Sequence, residues 1–368
     1  MGGAATLSDR QALTQRLIAQ AYGLGFDVAG VAALGEPVTF PAFAEWLDAG
    51  YHGTMTWMDG DGRTLRRDTR QPHPGATHAL VVGASYGGRE PAGPIARYAR
   101  GDDYHEVLRE RLREVHRWLE TTVGEPVNAR PYVDSGPMLE RDLAQRAGLG
   151  WFGKNTMLIT PRAGSHLFLA SLFIAYPLEP SAPFEADRCG RCTRCLEACP
   201  TGALPAPHVL DATRCISYLT IEHRTSIPES LRPLVSDLLY GCDICNDVCP
   251  WNQRFAREAM LPAFAARTLF ADMHDREGTR ALARTILMMS PADYADAFRG
   301  SAIKRAKLWM LQRNACVVLG NIGTDDDLAV LDAMLQHEEP IVREHAQWAL
   351  TQWALTQRGA DPSPPPSR

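Results

Sequence analysis

The sequence predicts an α+β/α-β multidomain chain: an α/β domain with a mixed sheet over residues 1–178, a small cysteine-rich module over 179–258, a helical repeat domain over 259–358 and a disordered tail over 359–368. Three observations predict it. Helical stretches and short apolar runs alternate as far as Tyr176, the pattern of a helix-covered sheet. Eight of the nine cysteines then fall between Cys189 and Cys249. Beyond Trp251 the periodicity is helical, and RNACVVLG (Arg313–Gly320) and REHAQWAL (Arg343–Leu350) repeat one order of apolar and small positions 30 residues apart. Such a repeat marks stacked, HEAT-like helix pairs.

In the first segment, Leu13–Gly25 has helical spacing and Asp27–Leu34 reads as a buried strand. Aromatic residues among small ones over 42–58 (Phe43, Trp46, Tyr51, Trp57) suggest a helix and a loop, and Arg63–Arg70 a solvated turn. Thr77–Ser85 is a second strand, Asp103–Thr121 an amphipathic helix and Pro126–Val133 a third strand. That strand leads to Asp134, and Ser135 with Pro137 and Glu140 reads as a helix start. Asp134 is thus either a helix cap or a ligand-facing carboxylate at a strand end, where α/β sheets place their sites. GLGWFGKN (Gly148–Asn155) imitates two nucleotide loops. It follows a helix and carries Asn155 where a phosphate loop needs Ser or Thr, so its glycines are read as ending a helix and starting a strand. Asn155–Thr160 and His166–Tyr176, joined by PRAG, predict a hairpin.

The cysteines form two sets. Cys189, Cys192, Cys195 and Cys199, followed by Pro200, read C-x2-C-x2-C-x3-C-P, the run with which bacterial ferredoxins hold iron-sulfur cubes. Cys215, Cys242, Cys245 and Cys249, followed by Pro250, repeat it with the leading cysteine displaced to 27 residues before Cys242, which implies a helical insertion. The fourth cysteine of each such run ligates the other cluster. The expected sets are therefore Cys189, Cys192, Cys195 and Cys249 for one 4Fe-4S cluster and Cys199, Cys215, Cys242 and Cys245 for the second. Zinc sites use paired CxxC ligands and give the two Cys-Pro steps no purpose. The result is a ferredoxin-like module, with Ser217 placed beside a ligand by the insertion RCISYLTIEHRTSIP.

In the last segment, residues 301–320, 325–336 and 340–357 read as helices, with Cys316 as a small core residue. Composition is that of ordinary globular material, 45% hydrophobic and 22% charged in 368 residues. No apolar run is long enough to span a membrane. The opening MGGAATLSDRQ has neither a hydrophobic signal nor a twin arginine, and thiols used as ligands suit a reducing compartment, so a cytoplasmic protein is expected. Met1, Gly2 and Thr6 fit a myristoylation pattern by chance, with no second anchor. The net charge of −5 is uneven: Arg299, Lys304, Arg305, Lys307 and Arg313 lie in a stretch to Thr324 without an acid.

Two clusters carry single electrons and need an acceptor. No flavin or nicotinamide fingerprint stands in the chain, so the acceptor is a cofactor without a signature, such as cobalamin bound base-off, or a partner protein. Asp272 and His274 with Gly278 approach a D-x-H-x-x-G cobalamin motif by coincidence, with one residue too many and ahead of helices instead of after a strand.

YVDSGPMLERDLAQRAGLGWFGKN, the AGS turn, the CxxCxxCxxxCP run, RCISYLTIE, YGCDICNDVCPWN and GSAIKRAKLWMLQRN, in that order, resemble the epoxyqueuosine reductases over nearly the whole chain. These are cobalamin- and iron-sulfur-dependent enzymes that finish queuosine synthesis in tRNA. The resemblance implies reductive removal of the epoxide oxygen at the wobble base, with electrons passing from the clusters to base-off cobalamin. It implies Asp134 as proton donor, its pKa raised by an apolar corrin site. It implies that Trp57, Arg97, Asp134, Met157, Leu158, Leu169, Ser217, Cys242 and Asp243 line the corrin, with Trp57 departing from the residue expected there. The basic stretch Arg299–Arg313 would then meet phosphates of an anticodon stem-loop. An external low-potential donor would supply the electrons, and no membrane is involved. Two other readings are a cobalamin-dependent reductive dehalogenase-like enzyme and a two-cluster electron-transfer subunit. The missing export signal, an aspartate where dehalogenases use a tyrosine, and the helical tail speak against the first. The second leaves the α/β segment and Asp134 without a task.

Overall fold

The computed structural model describes residues 6–359; Met1 and Gly2 of the myristoylation pattern and the tail from Ala360 lie outside the described residues. Two compact units result. The first comprises the chain up to Glu90, Arg97–Thr213 and Asp243–Ala266; the second comprises Pro91–Ala96, Arg214–Cys242 and the chain from Arg267. The cysteine-rich segment is therefore divided between the units.

In the first unit α1 (Leu7–Gly23) starts at a reciprocal cap: Asp9 N–H donates to Thr6 Oγ1 and Thr6 N–H to the Asp9 carboxylate. Next come β1 (Val28–Ala33), α2 (Phe40–Asp48), α3 (Asp61–Arg66), β2 (His78–Ser85), α4 (Tyr104–Val123), β3 (Ala129–Tyr132), α5 (Glu140–Arg146), β4 (Trp151–Phe152), β5 (Leu158–Ile159) and β6 (Leu167–Ile174). The main sheet has the order β1-β2-β6-β3, and every pair in it is antiparallel. The expected mixed sheet is thus corrected: apolar runs report burial on both faces, which central strands of either direction share. β2 and β6 pair in the middle, Leu80 opposite Leu172 and Val82 opposite Ala170. β3 is a short edge carrying Pro131, tolerated where a strand has one partner.

The predicted hairpin is corrected as well. β5 pairs with β4, and β6 turns to β2 and β3; only Thr160 and Gly164 join across the PRAG turn. The GLGWFGKN glycines close α5 and open β4, as read from the sequence: Gly148 has φ +80°, and a Cβ on Gly150 would stand 2.1 Å from the Ile159 carbonyl oxygen. Ser135 starts no helix, because α5 begins five residues later at Glu140 and has no side-chain cap. α3 replaces the expected solvated turn, tied down by Arg63 to Asp48.

The cysteine segment of this unit adds α6 (Arg194–Ala198). The chain passes to the second unit for α7 (Ile216–Ile221) and α8 (Arg232–Val235), then returns with α9 (Ile244–Asp247), which packs on α6, and α10 (Pro250–Phe255).

The second unit continues with α11 (Arg276–Met288), α12 (Pro291–Ala297), α13 (Leu308–Ile322), α14 (Leu328–Ala333) and α15 (Pro340–Gly359). α13 packs between α11 and α15. A Cβ on Gly320 would lie 2.6 Å from the Trp348 ring and 2.9 Å from Ala349 Cα, so small residues let these helices close up. The helix expected over 301–320 is broken: Ala302–Arg305 is a 3-10 turn, and extended Ala306 and Lys307 precede α13. Cys316 is fully buried in α13. Gly278 belongs to a helix start, its N–H donating to Asp275 Oδ1 at 2.7 Å, which accounts for the motif-like stretch from Asp272.

Candidate active site

None of the nine cysteines forms a disulfide. Lys154, from the GKN turn, reaches the loop of the first run and donates from Nζ to the carbonyls of Gly190 (2.6 Å) and Cys192 (3.0 Å). Trp151 Nε1 donates to Cys189 Sγ at 3.4 Å, and Cys189 and Cys249 share an apolar cluster with Trp151, Ile159, Phe184 and Trp251. Burial pushes the thiols of Cys195 and Cys249 up. Cys189 and Cys249 add to the rise at Cys195, and Cys189 with Cys192 add to it at Cys249. Cys249 therefore sits within electrostatic reach of the first run. Cys199 Sγ, by contrast, accepts the Ala203 N–H at 3.3 Å. Cys249 caps α10 with Pro250 as its first residue, where a missing N–H costs nothing.

A polar net seats these loops. Asn155 Nδ2 donates to Asn246 Oδ1 at 3.1 Å, Ser165 Oγ to the same oxygen at 3.0 Å, and Ser165 N–H to Asn252 Oδ1 at 2.6 Å. Arg97, 5% exposed, donates from its main-chain N–H and Nη1 to Asp243 (2.9 and 3.1 Å) and from Nη1 to Asp247 (2.6 Å), gripping both ends of α9 around Cys245. His166 stands 3.9 Å from Asp247, and burial holds its imidazole down at about 4, so it is neutral at neutral pH.

The second feature is built on Asp134, two residues past β3. Its backbone has φ +55°, held by the Asp134 N–H donating to Glu140 Oε1 at 2.9 Å. Asp134 caps nothing; Tyr104 Oη donates to Asp134 Oδ2 at 2.5 Å, and His105 Nε2 lies 3.7 Å from the same oxygen. His105 Nδ1 in turn meets Asp103 Oδ1 at 2.7 Å. Tyr104 is stacked between the Phe168 ring (4.3 Å) and the His105 ring (4.1 Å). The Asp134 side chain is 59% exposed yet sits in a recess where surrounding protein opposes its charge.

That desolvation is outweighed. Hydrogen bonds from His105 and Tyr104 hold the Asp134 carboxyl below its ordinary value, which corrects the expectation of a raised pKa in the protein itself. Desolvation also weakens the His105 charge, but the hydrogen bonds to Asp103 and Asp134 prevail and raise it to about 9. Glu140 is held up at about 8, first by burial and then by the charge of Asp134. At neutral pH the protons of this site thus rest on His105 and Glu140. His105, Tyr104 and Glu140 were absent from the sequence-derived site. The only sequence signal for the first two was position: Asp103, Tyr104 and His105 open an amphipathic helix whose first turn faces Asp134.

Of the other expected corrin residues, Trp57 is 47% exposed and Met157 and Leu169 are half-buried. The Leu158 and Arg97 side chains are buried, 4% and 5% exposed. Asp243 is tied to Arg97, and Ser217 and Cys242, both half-buried, belong to the second unit. Among the basic residues, Lys304 and Lys307 are exposed, Arg299 pairs with Asp296, and Arg305 forks onto Glu222 at 2.7 and 2.8 Å. Arg313 is corrected outright. It is fully buried and donates to the carbonyls of Leu219, His223 and Thr225, so it meets no nucleic acid.

A family model described as "4Fe-4S double cluster binding domain" matches residues 188–252, which span all eight clustered cysteines, and one described as "Epoxyqueuosine reductase QueG, DUF1730" matches 66–135. Fold and site thus define an oxidoreductase with two 4Fe-4S clusters. The epoxyqueuosine reductase of Salmonella typhimurium is 37% identical over 357 residues, covering 94% of this chain and 89% of the relative; that of Xanthomonas campestris is 40% identical over 322 residues, covering 84% and 87%. Among solved structures, an epoxyqueuosine reductase with a tRNA-Tyr epoxyqueuosine-modified stem loop superposes with TM-score 0.82 at 28% identity, covering 93% of this chain and 90% of that one. The Bacillus subtilis enzyme, with its own Asp134 catalytic loop swung out of the active site, matches at TM-score 0.80 and 28% identity, with the same coverage. The chain belongs to the epoxyqueuosine reductase family. Among the described residues no helix is long and apolar enough to cross a membrane.

Proposed function

We propose that this protein reduces the epoxide of epoxyqueuosine at the tRNA wobble position to the alkene of queuosine, consuming two electrons and two protons and releasing water. The observation that carries the reading is Asp134, a solvent-reached carboxylate aimed by Tyr104 and His105, in a chain with full-length kinship to epoxyqueuosine reductases.

The residues fit the groups this reaction needs. Soft thiols in two ferredoxin-type runs suit 4Fe-4S clusters. The apolar cluster shared by Cys189 and Cys249, with the charge of Cys249 felt at Cys195 and that of Cys192 felt at Cys249, supports the first ligand set. Cysteine spacing alone supports Cys199, Cys215, Cys242 and Cys245 as the second. Exposed Trp57 with half-buried Met157 and Leu169 offers apolar surface of the kind a corrin covers, and the family resemblance alone assigns Ser217, Cys242 and Asp243 to the same cofactor. Leu158 and Arg97 would take part through their main chain. When bound, two clusters and a base-off cobalamin supply the electrons singly.

The protein's own residues handle the oxygen. An epoxide oxygen leaves poorly unless protonated, and Asp134 is the carboxyl placed to pass it a proton. Tyr104, packed between two rings, fixes the Asp134 Oδ2 direction. Lys304, Lys307, Arg299 and Arg305 are the residues we assign to tRNA phosphates, on a HEAT-like helical scaffold. An external low-potential donor and a reducing cytoplasm complete the reading.

The test is conversion of epoxyqueuosine-containing tRNA, followed by nucleoside mass spectrometry, with protein carrying both clusters and cobalamin. Wild type should yield queuosine, and Asp134→Asn should keep its clusters and lose at least about a hundredfold in rate. An inert wild type, or an active Asp134→Asn, overturns the reading.

A further inference from the structure

We infer that His105, backed by Asp103, is the proton-feeding partner of Asp134, so that the reacting carboxyl is recharged through an Asp103–His105–Asp134 line. The inference rests on the proposed epoxide reduction and deepens it.

Stoichiometry creates the need. Opening the first carbon–oxygen bond puts one proton on the oxygen; releasing that oxygen as water takes a second. One carboxyl carries one proton at a time. The group that refills it must lie against the same oxygen, hold a proton at working pH and reach solvent. His105 meets all three conditions: Nε2 is 3.7 Å from Asp134 Oδ2, Asp103 Oδ1 fixes Nδ1 at 2.7 Å, and the side chains of His105 and Asp103 are 29% and 28% exposed. The two carboxylates keep the imidazole protonated. Glu140 fails the first condition, since its Oε1 accepts the Asp134 main-chain N–H instead of facing Oδ2. Tyr104 donates to Oδ2 and is held between two rings, which suits it to fix the direction of that oxygen.

Each transfer balances. Asp134 is ionised at rest, so the His105 Nε2–H bond breaks first as an Asp134 O–H bond forms, leaving a neutral imidazole still bonded to Asp103 through Nδ1–H. The Asp134 O–H bond then breaks as an O–H bond forms on the substrate oxygen. Solvent returns the proton to Nε2. The groups facing this line are Asp103, which caps α4, Arg109 on α4, Asp134 in the loop before α5, and Glu140 and Arg141 in the first turn of α5.

His105 acts through Asp134 and is a positioning residue, so rate alone does not decide the matter. The experiment is the pH profile of turnover on an epoxyqueuosine-bearing stem-loop by the loaded enzyme, for wild type, His105→Gln and His105→Ala with and without added imidazole. Wild-type turnover should fall as pH rises through about 9, where His105 loses its proton. His105→Gln should lose about a hundredfold in kcat, with KM within twofold of wild type and that alkaline limb abolished. Imidazole should restore about tenfold in His105→Ala. An active wild type with an unchanged His105→Gln overturns the inference alone. A loss of rate that leaves the alkaline limb in place, and that imidazole does not relieve, makes His105 merely structural and also overturns it. An inert wild type overturns the proposed function and the inference with it.

Discussion

Asp134 shows how one residue's chemistry is set by neighbours far apart in sequence. Desolvation alone would raise its pKa, but two hydrogen-bond donors from the start of α4 reverse the sign. The same geometry makes stability pH-dependent. His105 has a folded pKa of about 9 against an ordinary 6.5, so its contribution is fully present below about 6.5 and is lost as pH rises through about 9. Melting temperatures of wild type minus His105→Gln, measured from pH 6 to 10, should decline across that window; a flat difference would remove the ion pair. Arg313 makes the opposite point, that a basic residue in a basic stretch can be wholly internal. It bonds three carbonyls of the segment 219–225. Arg313→Ala should therefore cost about 3–5 kcal/mol, read by chemical denaturation, because buried acceptors are left unpaired.

Among elements, the GKN turn and the AGS turn are the ones whose task the sequence concealed. Both seat the cysteine loops, one through Lys154 and the other through Ser165 and Asn252. Lys154→Met should lose about 1.5–3 kcal/mol of charge-assisted bonding to the first cysteine loop. The expected outcome is lower iron content and a weaker electron-paramagnetic signal from one cluster, with the fold retained. Gly164→Val should be harsher, since φ is +69° and a Cβ would stand 2.1 Å from Asn252 Oδ1. Strand positions were legible because apolar runs of strand length are distinctive. Strand direction was not, because a buried strand looks alike in parallel and antiparallel sheets. β5 was misassigned for a related reason: two residues of pairing leave too short a pattern to name a partner.

For the whole molecule, the acidic chain keeps a local surplus of positive charge, but only part of it faces solvent. Lys304, Lys307 and Arg305 reach solvent, Arg305 while paired with Glu222, and Arg313 is internal. Lys304→Glu with Lys307→Glu should weaken tRNA binding and reduce the slope of log affinity against log salt by about two. An unchanged slope would place the RNA elsewhere. Division into two units that share the cysteine segment also means that linear boundaries understate how the chain is organised.

The sequence by itself determined the cluster chemistry, the family and the candidate proton donor, because ligand spacing and ordered motifs are local properties of a chain. Tertiary structure decided the direction of the sheet, the burial of Arg313, the service of Lys154 and the company of Asp134. Those depend on contacts between residues distant in sequence, Asp134 with Tyr104 and His105 or Lys154 with Cys192, and electrostatic balance at such contacts is fixed only when the chain has closed around them.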